Sequence, residues 1–417
     1  MKIYKFGGAS IRDAINVRNV ADVLQRVGYA DCLIVASAMG KTTNALEVVV
    51  ARYFNSPQDI DEALQIVKDD HFQIAYDLFP QSKAGLFTEM HQLFEKLELF
   101  LNTNKSPNYN FVYDQIVGYG ELLATVILHH YLQSCGIDNV WTDARNLIKT
   151  DVTYRDANVN WELTQANISA QIRSTALHIT QGFIGSDDNG FSTTLGREGS
   201  DYSAAIFAYA LNAESVTIWK DVPGVLNADP RYFQETILLE QLSYQEAIEL
   251  AFYGASVIHP KTLQPLQQKE IPLFVKSFIN PMLPGTKVSK GVGLIPQTPC
   301  YIVKKNQLLI SLSALDFSFI MEENISEIFR LLHQYNIKVN VIQNSAISFS
   351  VCVEDKFNHF EALRSVLSKQ FKVSYNEDVS LYTIRHFEEH SAEKVLQNKT
   401  LLLKQVNRET IQMVIKE

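Results

Sequence analysis

The chain has 417 residues, 46% of them apolar and 20% charged, which suits a globular protein of two or three domains. A net charge of −9 argues against nucleic acid as a partner, and with no basic-then-apolar leader and no apolar stretch of the roughly 18 residues a membrane span needs, a cytoplasmic protein is expected. The 4 cysteines, Cys32, Cys135, Cys300 and Cys352, are far apart and form no CxxC pair, so neither a disulfide framework nor a zinc site is expected.

Strand and helix patterns alternate from the start. Residues 2–6 read as a strand running into Gly7-Gly8, 11–27 as a helix, 32–36 as a short buried strand and 43–54 as a helix. Residues 59–101 read as mostly helical with Pro80 interrupting, and 111–135 as a further long helix. Strands are expected over 177–184, 215–219 and 273–278, with a helix over 201–211. This alternation predicts an α/β fold with a mostly parallel sheet covered by helices on both faces. A Pro- and Gly-rich segment over 281–299 reads as a linker. Beyond it the order over 308–375 is β-α-β-β-α-β, the ferredoxin-like arrangement. Residues 378–417 add one strand, a short helix and two strand-like runs.

The densest motif is Thr193-Thr194-Leu195-Gly196-Arg197-Glu198-Gly199-Ser200-Asp201, which opens the 201–211 helix. A loop at a helix start offers unpaired backbone N–H groups to an anion. An arginine there can fork onto a carboxylate. The loop therefore reads as a binding site for an anionic substrate.

The other motifs are weaker one by one. Lys5-Phe6-Gly7-Gly8-Ala9-Ser10 lets the backbone approach a phosphate, with Lys5 adding charge, or is a plain strand-to-helix turn. Ser37 to Asn44 either offers hydroxyls to a ligand or caps the next helix through Thr43 or Asn44, and alone the cap is the better reading. Gly118-Tyr119-Gly120-Glu121 puts two glycines in a helical pattern, at about 1 kcal/mol each relative to alanine. That suggests a close approach or a break before Glu121, with a solvated Glu121 as an even alternative. Asp221 and Arg231 suit ribose and phosphate contacts, although a turn-rich surface loop explains them as well. Lys261 near a helix start opposes the dipole, so it is either an anion contact or a surface lysine. His129-His130 reads as structural, since adjacent helical residues do not share a face.

Taken in order, these segments resemble aspartate kinase, of the amino acid kinase superfamily. The likeness spans nearly all of residues 1–290, and its most specific part is GFIG…TTLGREGSDYSAA. The β-α-β-β-α-β unit resembles an ACT domain, the amino-acid-sensing module such kinases carry. The resemblance implies a catalytic domain over 1–290, an ACT domain over 300–377 and a truncated second ACT-like segment over 378–417. It implies phosphorylation of the β-carboxylate of L-aspartate by ATP with Mg2+, giving 4-phospho-L-aspartate. A carboxylate nucleophile is already ionised at neutral pH, so the chemistry needs in-line positioning and charge neutralisation rather than a base.

By the same resemblance Lys5 bridges phosphate oxygens, supported by the Gly7 and Gly8 amides. Arg197 clamps the aspartate α-carboxylate and Glu121 holds its ammonium group. Ser37, Thr43 and Ser200 add hydrogen bonds to the substrate, and Asp201 orients Lys5. Lys220, Asp221, Arg231 and Lys261 contact ATP. No dedicated protein metal site is implied. A homodimer or higher homo-oligomer and an amino-acid effector at the ACT domain are expected.

Departures from the family pattern set further expectations. Glu198 stands where a glycine is usual, and its side chain is expected to point to solvent. Leu226 replaces a tyrosine. Ser256 replaces a lysine, whose phosphate contact Lys261 is expected to take over. Asn340 and Ala346 stand where lysine-sensitive relatives carry carboxylates, so weak or absent lysine feedback is expected. The rival readings are a glutamate or N-acetylglutamate kinase, and a catalytically weak regulatory binding protein.

Overall fold

A computed structural model describes residues 1–417 apart from 82, 83, 256, 257, 292 and 317. The chain forms two compact units. The first comprises Met1–Val225, Leu238–Ile248 and Val257–Leu294, and the second Leu226–Ile237, Glu249–Ser256 and Ile295–Glu417. These bounds differ from the expected 1–290, 300–377 and 378–417, because two short segments before residue 290 belong to the second unit.

Ten strands belong to the first unit: β1 (Lys2–Phe6), β2 (Cys32–Ala36), β3 (Val140–Thr142), β4 (His178–Gln181), β5 (Ile184–Ser186), β6 (Ser192–Thr194), β7 (Ser215–Lys220), β8 (Gln241–Ser243), β9 (Leu273–Ser277) and β10 (Thr286–Ser289). Eight of them form one sheet in the order β3-β4-β2-β1-β7-β9-β10-β8. The strands from β3 to β9 run parallel, and β10 turns antiparallel to β9. Side chains alternate between faces along a strand. Tyr4, Phe6, Cys32, Ile34 and Ala36 join one apolar core with the helices Ala14–Val27 and Tyr119–Ser134. Ile3, Leu33 and Val35 lie outside that core yet are fully buried. Both faces are therefore covered, as in a parallel sheet crossed over by helices.

Three expected elements are broken in instructive places. The 111–135 helix is two, Tyr109–Val117 and Tyr119–Ser134, meeting at Gly118. The 177–184 strand ends at Gln181, and Phe183 takes a left-handed φ of +67° before β5 starts a short hairpin with β6. The 59–101 stretch is Ile60–Leu78 and Ala84–Thr103, split at Pro80. The run Tyr109–Ser134 spans 26 residues at a mean hydropathy of 1.3, long and apolar enough by length and composition alone to cross a membrane. Its most apolar window is 89% buried, because it is a core helix pair. The polar Asp114 and Glu121, buried within it, interrupt any continuous apolar run.

The second unit is a six-stranded antiparallel sheet made of β11 (Cys300–Ala314), β12 (Lys338–Asn344), β13 (Ser348–Glu354), β14 (Phe371–Arg385), β15 (Thr400–Val406) and β16 (Thr410–Lys416), ordered β12-β13-β11-β14-β16-β15. The two central strands, each 15 residues long, serve both halves and are offset midway by irregular register around Gln307. One half packs Ile310, Leu312, Phe349 and Val351 against the helices Glu322–Gln334 and Phe360–Leu367. The other packs Tyr382, Ile384, Ile411 and Met413 against the helix Ser391–Leu396. The second half thus takes its fourth strand from residues near 300–304, which pair with 381–385. It is a permuted ferredoxin-like unit short of one helix, rather than a C-terminal remnant. A shared strand leaves no mark in a hydrophobic pattern, which is why the sequence reading missed it.

Candidate active site

Ligands of parallel α/β sheets collect beyond the carboxyl ends of the strands, where the strand order reverses. Here β1 lies between β2 and β7, and the ends of β4, β2, β1 and β7 open onto one pocket of about 480 Å³. Lys5 comes from β1, Ser37 and Ala38 follow β2, Phe183 follows β4 and Lys220 ends β7. The Gly196–Asp201 loop closes the same pocket.

On the β1 and β7 side one carboxylate sits between two ammonium groups. Lys5 Nζ lies 2.6 Å from Asp201 Oδ1, both residues being buried. Lys220 Nζ is 3.9 Å from Asp201 Oδ2. Asp201 occupies the first turn of the helix Gly199–Leu211, where the macrodipole favours a carboxylate. A Cβ on Gly8 would meet Ala38 O at 2.9 Å and Gly40 O at 3.0 Å, so only glycine lets these two loops close together.

On the β2 and β4 side a buried polar group is left unsatisfied. Glu121, in the first turn of Tyr119–Ser134, is 2% exposed. Its Oε1 accepts the Ala38 N–H at 3.1 Å, while its Oε2 has no hydrogen-bond partner among the described residues. Burial pushes its pKa up to about 8, against the smaller opposing pull of the Ala38 N–H, its own backbone N–H and the Lys5 charge. A buried, half-satisfied carboxylate on a pocket wall is a site for a cation or a donor. Gly120 brings it there: a Cβ at that position would lie 2.9 Å from the Ala38 Cβ.

The connecting loop is held by close contacts. Gly196 has φ +80°, and a Cβ on it would sit 2.6 Å from Asp156 Oδ1. Gly182 is required where Ser200 passes, since its Cβ would be 2.5 Å from the Ser200 Cβ. Glu198 has a left-handed φ of +53°, a conformation glycine adopts freely. The expectation that its side chain points to solvent is corrected. Glu198 lines the pocket, and its Oε2 is closed off from solvent without a hydrogen-bond partner. The backbone conformation at 198 fixes the Cα–Cβ direction and so turns the side chain toward the pocket.

Comparison with known proteins decides the family. Residues 1–277 match the model of the amino acid kinase family. The lysine-sensitive aspartokinase 3 of Escherichia coli (strain K12) is 31% identical over 84% of this chain and 78% of its own length. The chain belongs to the amino acid kinase family, as an aspartokinase. Crystal structures of E. coli aspartokinase III agree: the complex with aspartate and ADP (R-state) has a TM-score of 0.82 at 26% identity, covering 100% of this chain and 96% of that one. The complex with lysine and aspartate (T-state) has a TM-score of 0.83 at 27% identity, covering 99% and 95%. A chloroplastic bifunctional aspartokinase/homoserine dehydrogenase 2 of Arabidopsis thaliana is 28% identical over 88% of this chain, which spans only 42% of that relative.

Within this aspartokinase the pocket gathers Lys5, Gly8, Ser37, Thr43 and Glu121 with Arg197, Ser200, Asp201 and Lys220. Gly7 sits beside them, its position for a Cβ 3.2 Å from Lys5 Nζ. Three expected ATP contacts stand outside its lining. Asp221 is exposed immediately after β7. Lys261 pairs with Asp156. Arg231 belongs to the second unit and forks onto Asp229, with Nη2 2.6 Å from Oδ2. Ser256 falls outside the described residues. Three residues that sequence reasoning missed complete the site: Tyr113 and Arg155 line the pocket, and Asp114 fixes the turn that carries Arg155. Asp114 was detectable as a lone acid in an apolar helical run.

Proposed function

We propose that this aspartokinase transfers the γ-phosphoryl group of ATP to the β-carboxylate of L-aspartate in the pocket beyond β1, β2, β4 and β7. The observation that carries the reading is the division of charge in that pocket. Glu121 offers an unmatched buried carboxylate to an ammonium group, and Arg197 offers a guanidinium to an α-carboxylate. Lys5 and Lys220 flank Asp201 where the phosphoryl group must pass. An acceptor with one ammonium and two carboxylates matches both walls.

The acceptor oxygen is anionic at neutral pH, so no residue need remove a proton. Lys5 and Lys220 neutralise the charge that spreads over the equatorial oxygens in a loose transition state. Ser37, Thr43 and Ser200 supply hydroxyls that orient the substrate, and the Gly7-Gly8 turn lets the backbone approach the phosphates. Asp221, Arg231 and Lys261 are assigned to the nucleotide by resemblance alone. Magnesium fits a site of this kind, since it needs one or two carboxylates besides phosphate oxygens and water. Asp201 is the carboxylate that would face it, and no cluster of three or more metal-binding side chains exists among the described residues. When bound, the ion supplies further charge neutralisation at the phosphates.

We also propose that lysine feedback is weak or absent and that the enzyme is a homodimer associated through its second unit. Asn340 stands where a carboxylate would receive an effector's ammonium, and it already accepts the chain's own Lys304 Nζ at 2.9 Å while donating to Gln307 Oε1 at 2.7 Å. Ala346 is exposed and brings no charge. An ATP-dependent assay that traps the acyl phosphate with hydroxylamine tests the whole reading. Product from aspartate but not glutamate, undiminished by millimolar lysine, is expected. Product from glutamate alone, or none, overturns the assigned reaction, and strong lysine inhibition overturns the regulatory part.

A further inference from the structure

Arg155 is a residue whose cost the fold bears without an evident structural return. It is not a glycine, yet it has a left-handed φ of +71°. A strained backbone of this kind persists only where its surroundings over-determine it. Here they do. Asp114, fully buried, accepts the Arg155 N–H at 3.0 and 3.2 Å and takes the Thr194 N–H and O–H at 2.8 Å each. That carboxylate staples the Arg155 turn to the strand β6, from which the Gly196–Asp201 loop departs.

Arg155 is exposed, and its guanidinium rests on aromatic rings. It stacks on the Tyr113 ring at 4.5 Å and reaches Tyr109 at 5.6 Å. The Tyr113 hydroxyl in turn donates to Glu47 Oε1 at 2.8 Å, which fixes the ring. No carboxylate lies within ion-pair distance of the guanidinium among the described residues, and Arg155 lines the pocket beside Glu121 and Arg197. A stacked guanidinium keeps its N–H edge free for a planar anion.

Its position selects which substrate. Tyr113 belongs to the helix that leads directly into the Glu121 helix, and Glu47 lies on the helix after β2. Both belong to the amino-acid wall, whereas Lys220 and Asp201 belong to the phosphoryl wall across β1. We infer that Arg155 is a second carboxylate-binding residue for the amino-acid substrate, acting with Arg197 so that each carboxylate of a dicarboxylic amino acid meets a guanidinium. This inference rests on the proposed function, because it presumes that an acidic amino acid occupies the Glu121 wall.

Calorimetric titration of the full chain with L-aspartate and, separately, with ADP tests it, together with a melting curve for each variant. Arg155→Gly suits the left-handed backbone and is expected to fold with an unchanged or higher melting temperature. It should bind aspartate about tenfold more weakly or worse, the loss of a charge-assisted contact, while ADP affinity stays within about twofold. Arg155→Lys keeps the charge but cannot fork and stack, so only part of the affinity should remain. Wild-type aspartate affinity in Arg155→Gly, or equal losses for aspartate and ADP, overturns the inference. If Arg155→Gly fails to fold, undiminished aspartate affinity in Arg155→Lys overturns it. A wild-type protein that binds ADP but no aspartate overturns the functional reading itself, and the inference with it.

Discussion

The two walls of the pocket differ in how their charges are settled. On the β1 and β7 side, Lys5 and Lys220 are gathered around Asp201 before any ligand arrives. On the β2 and β4 side, among the described residues, Glu121 keeps one oxygen without a hydrogen-bond partner and Arg155 has no carboxylate within ion-pair distance. The first wall is preorganised for a transient charge, and fixed dipoles and ion pairs there need not reorganise during transfer. The second stores unmet polar demand, which under the proposed function a zwitterionic amino acid satisfies on binding. Under the proposed function, the groups paired in advance act on the transition state and the unpaired ones recognise the ground state.

That contrast breaks most sharply at Lys5. Lys5→Gln should lower kcat by about 10³-fold while aspartate affinity by calorimetry changes little. Equal losses in both would erase the distinction between the walls. Glu121→Gln should do the opposite first, weakening aspartate binding by about 100-fold with the ADP affinity retained.

The pH dependence of stability carries a definite sign at Glu121. Its pKa stands near 8 in the fold against about 4.5 for an exposed glutamate, so the folded state holds an extra proton between those values. Stability therefore falls as pH rises from about 4.5 to about 8 and stays reduced above. Glu121→Gln removes this slope, and its melting temperature should gain on the wild type progressively up to pH 8. A constant difference across that range would show that Glu121 is ionised in the empty site.

Smaller effects sharpen the comparison at the loop joining the walls. Asp114→Asn replaces an acceptor-only group facing three donors, costing about 1–3 kcal/mol of stability and raising the KM for aspartate more than that for ATP. Glu198→Gly relieves a left-handed backbone and should stabilise by about 1 kcal/mol. It should also tighten nucleotide binding a few-fold, since one carboxylate leaves the pocket. Unchanged stability in a melting curve would mean the backbone at 198 carries no strain.

Much of this was legible in the sequence. The buried run of β2 and the strand-to-helix turns place Lys5 and Ser37 at strand ends and Asp201 at a helix start without any coordinates. The GYGE glycines signalled a close approach, and Gly120 against Ala38 is that approach. What stayed hidden depends on tertiary direction. Glu198 faces inward because of a single backbone angle. Arg155 and Asp114 are far from the loop in sequence, yet Asp114 bonds to Thr194 of β6 and the Arg155 backbone lies against Gly196. The shared strands β11 and β14 are indistinguishable from ordinary long strands until their two partners are seen.

The central claim is that Glu121 waits, largely protonated, for the ammonium group of aspartate. Calorimetric titration of aspartate at pH 7 in two buffers of different ionisation enthalpy tests it directly. The account predicts release of close to one proton per aspartate bound, declining as the pH is raised past 8. Binding with no proton release at pH 7 would contradict it.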